Sequence, residues 1–135
     1  MQSFTINTSR KHELIDITDK VREIVDGSKI KQGICFIYVP HATAGVTINE
    51  NADPNIKDDI LKAINKVIPE HDGYLHDSVD NNAAAHIKSS LMGVSLHIPI
   101  TDGELQLGRW QDIFFCEFDG PRKNRQIILN LITSR

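Results

Sequence analysis

The run Ile34-Cys35-Phe36-Ile37-Tyr38-Val39 is apolar at nearly every position and stops at Pro40. A strand covering one face of a core alternates apolar and polar residues, whereas an uninterrupted apolar strand reads as buried on both faces. The run therefore predicts a central strand with packed material on either side. The densest polar stretch of the chain follows it, from His41 through Thr43, Gly45, Thr47, Asn49 and Glu50 to Asp53. A strand ending in a polar, glycine-containing loop is a common way to hold reactive groups over a scaffold. Gly45 allows backbone conformations that other residues resist. Asp53-Pro54 then reads as a helix start, a capping carboxylate followed by proline at the first helical position. The plainer alternative for the whole stretch is a polar turn with a helix cap.

Around this centre the pattern is strands first, helices in the middle, then strands. Ser3 to Thr8 and His12 to Ile17 alternate as strands, and the turn between them predicts a hairpin, with His12 at the surface. Thr18 reads as a cap for a helix ending near Gly27. A second helix runs from Pro54 to Pro69, with Ile56, Ile60, Leu61, Ile64 and Val67 on its apolar face. A third runs from Asn81 or Asn82 to Gly93, with Ile87 and Leu91 as its apolar side. Val94 to Ile98, Ile113 to Phe118 and Gln126 to Ile132 complete the strands, with a hairpin turn at Asp102-Gly103. Regular strand-helix alternation is absent. The expectation is an α+β fold, mostly antiparallel sheets in a sandwich-like core with about three helices, spanning residues 1–135 as a single domain.

A net charge of −3 gives no general electrostatic case for nucleic acid. The basic cluster Arg122-Lys123-Asn124-Arg125 reads as a solvated turn. No secretory signal is visible, and no apolar run approaches the ~18 residues of a membrane span. A cytoplasmic protein with no membrane partner is expected. The two cysteines, Cys35 and Cys116, lie in apolar strand-like runs and read as buried thiols. No Walker loop, GxGxxG or GxSxG occurs.

Of the six histidines, His41 ends a strand, His76 lies in a loop and His86 sits on a helix. Three imidazoles from different elements can leave a coordination position open, as a catalytic zinc requires. The alternative for each is an ordinary hydrogen-bonded structural histidine. Asn82, His86 and Ser90 are spaced at four residues and, with Ser89, make a polar helix stripe. Glu50 is a candidate for proton transfer or for orienting a histidine. Arg109-Trp110-Gln111 holds the only tryptophan, which suits either stacking on a planar ligand or a place in the core.

His41-Ala-Thr-Ala-Gly45, Asn49-Glu50-Asn-Ala-Asp53-Pro54, His86-Ile-Lys-Ser-Ser-Leu-Met-Gly93 and Leu107-Gly-Arg-Trp-Gln111 together resemble the YjbQ family, uncharacterised protein family 0047, also called secondary thiamine-phosphate synthase. The resemblance covers nearly the whole chain, with the motifs in the family's order. It implies a homotrimer with a polar, metal-holding pocket near subunit contacts. It also implies a synthase activity that joins a hydroxymethylpyrimidine diphosphate to a thiazole phosphate. His41, His76 and His86 are the matching histidines and Glu50 the matching acid. On that basis His41 and Glu50 are expected to be catalytic, and a divalent metal, best zinc given imidazole ligands, to sit on the three histidines. Thr43, Asn49, Asn82, Lys88, Ser89, Ser90, Arg109, Trp110 and Gln111 are expected around a small phosphorylated or anionic substrate. A metal-dependent hydrolase and a non-catalytic ligand-binding protein are the alternatives. Arg109 stands where the family usually carries threonine, and His97 where it usually carries no histidine.

Overall fold

The strand buried on both faces is not the Ile34 run but β7 (Asp112–Glu117). In a computed structural model that describes residues 1–134, Ile113 and Phe115 of β7 enter one core and Phe114 and Cys116 enter another. Alternate residues of a strand point to opposite faces, so one apolar strand supplies both cores. Among the described residues β7 is the middle of a three-stranded antiparallel sheet. It is flanked by β2 (Glu13–Asp16) and β4 (Ala44–Asn49). A second antiparallel sheet has five strands. Its order is β1 (Gln2–Ile6), β8 (Arg125–Thr133), β3 (Gly33–Tyr38), β5 (Ser95–Thr101) and β6 (Glu104–Leu105). The larger core lies between the sheets and takes in Val21 and Val25 of α1 (Thr18–Ser28). The smaller lies between the three-stranded sheet and two helices, α2 (Asn55–Val67) and α3 (Ala83–Met92). The α+β reading of the sequence holds.

Several local expectations are corrected. The Ile34 run is β3, central in its sheet as expected, but it has one open face. Cys35 and Ile37 are fully buried while Ile34 and Tyr38 are 42% and 41% exposed, because no element among the described residues covers the outside of that sheet. β1 and β2 form no hairpin, since β1 pairs with β8 and β2 with β7. The segment between them crosses from one sheet to the other, held where Thr8 N–H donates to the Arg122 carbonyl and Gly120 N–H to the Lys11 carbonyl. β5 continues through Pro99, opposite Ile34. A proline is tolerated there because its N side faces the short β6, where its carbonyl still accepts from Gln106 N–H. The turn at Asp102-Gly103 is as read, with φ of 52° and 81°.

Another correction is α3. Ile87 and Leu91 are 39% and 65% exposed, whereas Ala84, Ala85, Lys88 and Ser89 are buried. Small side chains let this helix lie close on β4, and that contact rather than apolarity sets which face turns inward. Asp16, not Thr18, caps α1, its Oδ1 accepting the Thr18 N–H at 2.9 Å. Asp53 starts α2 as expected, Oδ1 accepting the Asn55 N–H at 2.9 Å. On α2 Ile64 is buried but Val67 is 72% exposed, past the end of the packed face. Both cysteines are free and buried. Burial pushes the Cys35 thiol up to about 11 and raises Cys116 as well, so neither is poised as a nucleophile. None of the described helices is long and apolar enough to cross a membrane.

Candidate functional site

The polar stretch from His41 to Asp53 is divided by β4. Five steps of about 3.3 Å separate Ala44 from Asn49 by about 17 Å, so His41 and Glu50 stand at opposite ends of the strand. At the His41 end α3 packs directly on β4. Ser89 Oγ donates to the Ala44 carbonyl at 2.6 Å, and Val46 N–H donates to the Gly93 carbonyl at 3.0 Å. Gly45 matters here for closeness rather than for backbone angle: a Cβ on it would stand 2.6 Å from the Gly93 oxygen. The result is a cavity of ≈ 320 Å³ with His41 and Ala42 on one side and His86, Ser89 and Ser90 on the other, ending at Gly93 and Val94. Ser90 Oγ is turned back to its own helix, donating to the His86 carbonyl at 3.0 Å.

His76 comes from a short 3₁₀ helix, Leu75–Ser78, and meets His86 edge to face, ring centroids 4.8 Å apart. Asp77 of the same turn accepts the Ala83 N–H at the start of α3. Asn82 Nδ2 donates to Asp119 Oδ2 at 2.8 Å. The buried His76 Nε2 and Asn82 Oδ1 have no hydrogen-bond partner, although Asp80 Oδ2 stands 3.4 Å from the former at poor angle. Of the three expected histidines, His41 and His86 thus share the cavity and His76 adjoins it through His86; of the Asn82–Ser90 stripe, His86, Ser89 and Ser90 line the cavity while Asn82 is turned to Asp119.

His41 is held from behind. Its Nε2 accepts the backbone N–H of Gln126 at 2.8 Å. Next to Gln126, Arg125 is buried and grips Glu117 through two bonds, Nε to Oε2 at 2.8 Å and Nη2 to Oε1 at 2.5 Å. Thr8 Oγ and Asp119 N–H complete the carboxylate's partners. Burial alone would raise the Glu117 pKa; the bonds from Arg125, Asp119 and Thr8 outweigh it and hold the group below the usual range. Arg125 Nη2 also donates to Thr43 Oγ1 at 3.0 Å, so Thr43 serves the frame and not the cavity. Burial first, and then the Arg125 charge, lower the His41 pKa. The reading of residues 122–125 as a solvated turn fails at Arg125 for this reason.

At the other end Glu50 Oε2 accepts the Asp53 N–H at 3.1 Å, and its own N–H is taken by Asn49 Oδ1 at 2.8 Å. Asn51 bridges Asp16 and Asp112. Arg109 stacks on Trp110, 4.9 Å to the ring, and Trp110 is 56% exposed. Gln111 Oε1 accepts the Gly108 N–H at 2.7 Å, folding that loop on itself. Glu50, Asn49, Arg109, Trp110 and Gln111 therefore do not line the histidine cavity of the same chain. Lys88 lies in a third place. Fully buried, its Nζ donates to Asn65 Oδ1 at 2.6 Å and to Glu70 Oε1 at 3.1 Å. His12 Nε2 reaches the same Glu70 oxygen at 3.0 Å, so His12 is a member of a half-buried ion cluster rather than a free surface residue. His97 is exposed on β5.

Among the described residues no group of three His, Cys, Asp or Glu is disposed to hold a metal ion. Independently of that placement, the His41 Nε2 lone pair is spent on Gln126 N–H. Its other nitrogen then carries the ring proton, so His41 does not fit as a ligand beside His76 and His86. A larger cavity of ≈ 500 Å³ opens between β1 and β2, lined mainly by Phe4, Ile6, Ile15 and Ile17, and holds none of the histidines.

Residues 2–134 match the family model described as UPF0047 protein YjbQ-like. The chain belongs to the UPF0047/YjbQ family. A UPF0047 protein of Methanocaldococcus jannaschii is 49% identical over 129 residues, covering 96% of this chain and 91% of the relative. The UPF0047 protein YugU of Bacillus subtilis is 47% identical, covering 90% and 92%. The crystal structure of a YjbQ/UPF0047 protein from Clostridium acetobutylicum superposes with a TM-score of 0.93 at 46% identity, over 98% of this chain and 100% of the other. A protein of unknown function from Sulfolobus solfataricus superposes with a TM-score of 0.96 at 38% identity, over 98% and 96%. Membership in the UPF0047/YjbQ family carries no established activity with it.

Sequence reasoning missed Glu117, Arg125 and Gln126. A signal existed for the first two: a lone carboxylate inside an apolar strand and an arginine opening the next strand require each other. The Gln126 N–H is a backbone group and leaves no mark in sequence.

Proposed function

We propose that the protein is a small-molecule transferase of the secondary thiamine-phosphate synthase type, working on a phosphorylated substrate in the His41–His86 cavity. Both the ligand class and the chemistry come from the family resemblance; the site contributes two histidines in one cavity. The carrying observation is that two histidines from separate elements line one cavity and that one of them, His41, is held by the backbone N–H next to a buried arginine. In this reaction the thiazole nitrogen's lone pair forms the new C–N bond as the C–O bond to diphosphate breaks. That nucleophile needs no base. The departing diphosphate needs hydrogen-bond donors, and removal of one such donor costs about 10²–10³ in rate in other enzymes. No step here runs through Glu50 or through a metal. The uncovered outer face of the five-stranded sheet, with Ile34, Tyr38 and Ile132 exposed, supports assembly into the homotrimer that the resemblance implies.

The test is steady-state turnover of hydroxymethylpyrimidine diphosphate and thiazole phosphate by the assembled protein. His86→Ala is expected to lower the rate by about 10²-fold or more. An undiminished rate would remove the cavity from the reaction. A second reading, binding of a phosphorylated ligand without turnover, is favoured by one observation: among the described residues neither lysine nor arginine lines the cavity to take up the charge of a departing diphosphate. Ligand binding by wild type with no product formed would establish it.

A further inference from the structure

We infer that His41 serves this cavity as a fixed Nδ1–H donor to a phosphate oxygen, not as a lone-pair ligand to a metal ion. The inference rests on the reading of the cavity as a phosphorylated-ligand site and names the atom that meets the ligand.

One hydrogen bond decides the ring's chemistry. His41 Nε2 lies 2.8 Å from the backbone nitrogen of Gln126, which can only donate. A ring turned over would put carbon where the acceptor must be, so this nitrogen is assigned by its partner. A protonated Nε2 would face a second N–H across the same 2.8 Å. The ring is therefore neutral at Nε2 and carries its proton on Nδ1. Metal-binding histidines are arranged the opposite way, with the second nitrogen donating to a carbonyl or carboxylate. Here the second nitrogen meets a donor.

The donor at Gln126 cannot turn away. Gln126 sits in β8, paired with Thr5 of β1, and its neighbour Arg125 is pinned to Glu117 and Thr43. Thr43 is two residues from His41, so the same ion pair fixes the loop on which the ring stands. An N–H that is held in place and has no lone pair to offer requires an acceptor and turns away groups that can only donate. Anionic phosphate oxygens are such acceptors.

Long-range proton–nitrogen spectra of the full-length protein report which nitrogen of each histidine is protonated, with the His41 signals assigned by their loss in His41→Asn. Expected are a protonated Nδ1 and a bare Nε2, an Nδ1–H that moves on addition of inorganic phosphate, and no zinc-induced change at that ring. His41→Leu should weaken phosphate binding by about tenfold or more. His41→Asn, which keeps an N–H near the place of Nδ1, should retain most of it. A protonated Nε2, or zinc displacing the Nδ1 proton, overturns the inference; phosphate shifts at His86 would then leave the functional reading standing. A ring with the expected tautomer, silent to phosphate while His86 is also silent, overturns both.

Discussion

The two ends of β4 carry similar residue types and differ in what stands behind them. The His41 end is backed by a buried ion pair, by a helix in backbone contact with the strand, and by a carbonyl that leaves no room for a side chain at Gly45. The Glu50 end is a loop whose backbone N–H groups at Glu50, Asn51 and Asp53 are each taken by a side-chain oxygen. The first arrangement orients a histidine toward a cavity. The second caps a helix and closes a loop. Reactive residues crowded within a dozen positions of sequence are thus no site in themselves, because a strand carries its two ends apart.

The sharpest way to break this contrast is at Arg125. Arg125→Met leaves Glu117 buried with its main partner gone, and removing one member of a buried pair costs about 3–5 kcal/mol. Chemical denaturation should show that loss, and the His41 signals should broaden with it. A loss below about 1 kcal/mol would mean that the pair does not support the histidine end. The same pair predicts a pH dependence. Glu117 has a folded pKa below its ordinary value of 4.5, so the folded state binds fewer protons than the unfolded state there. Its contribution is complete above that value and is lost as pH falls through the folded pKa. Arg125→Met should abolish that part of the acid destabilisation, seen as a flatter stability profile below the ordinary carboxylate pKa.

Gly45→Ala probes the contact between α3 and the strand. An added Cβ at 2.6 Å from the Gly93 oxygen requires the helix end to move. The expected cost is about 1–3 kcal/mol, with a larger effect on ligand binding than on the fold, because His86 and Ser90 ride on that helix. Equal binding by Gly45→Ala and wild type would show that the cavity does not depend on the helix lying close.

Much of this was legible beforehand, and the exceptions share a cause. The strand at Ile34 to Val39 is legible in the sequence, but one apolar run looks like another: Tyr38 and Phe114 differ in burial because helices cover the outer face of one sheet and, among the described residues, nothing covers the outer face of the other. His41, His76 and His86 are grouped in the sequence by residue type and by the family resemblance rather than by any short spacing motif, and of the three only His41 and His86 line the cavity, His76 meeting His86 edge to face. Lys88 was misread as a substrate contact, since a lysine's buried partners, here Asn65 and Glu70, come from a loop whose path no periodicity encodes. Glu50 was joined to His41 by nearness in sequence, which the extended geometry of β4 undoes.

Glu50→Gln is the smallest effect expected and the most direct test of the division. Gln retains an oxygen to accept the Asp53 N–H that Glu50 Oε2 now takes at 3.1 Å, so the loop keeps its bond and stability should change by less than about 0.5 kcal/mol. Turnover should stay within about twofold of wild type, since removing a positioned acid or base costs typically 10²–10⁴-fold and this carboxylate lies a strand's length from the cavity. A tenfold or greater fall in rate with stability unchanged would mean that the carboxylate reaches a cavity after all. Within one chain the length of β4 forbids that. The acid would then have to act on the histidines of a neighbouring copy, and the two ends, separate in each subunit, would meet across a subunit contact.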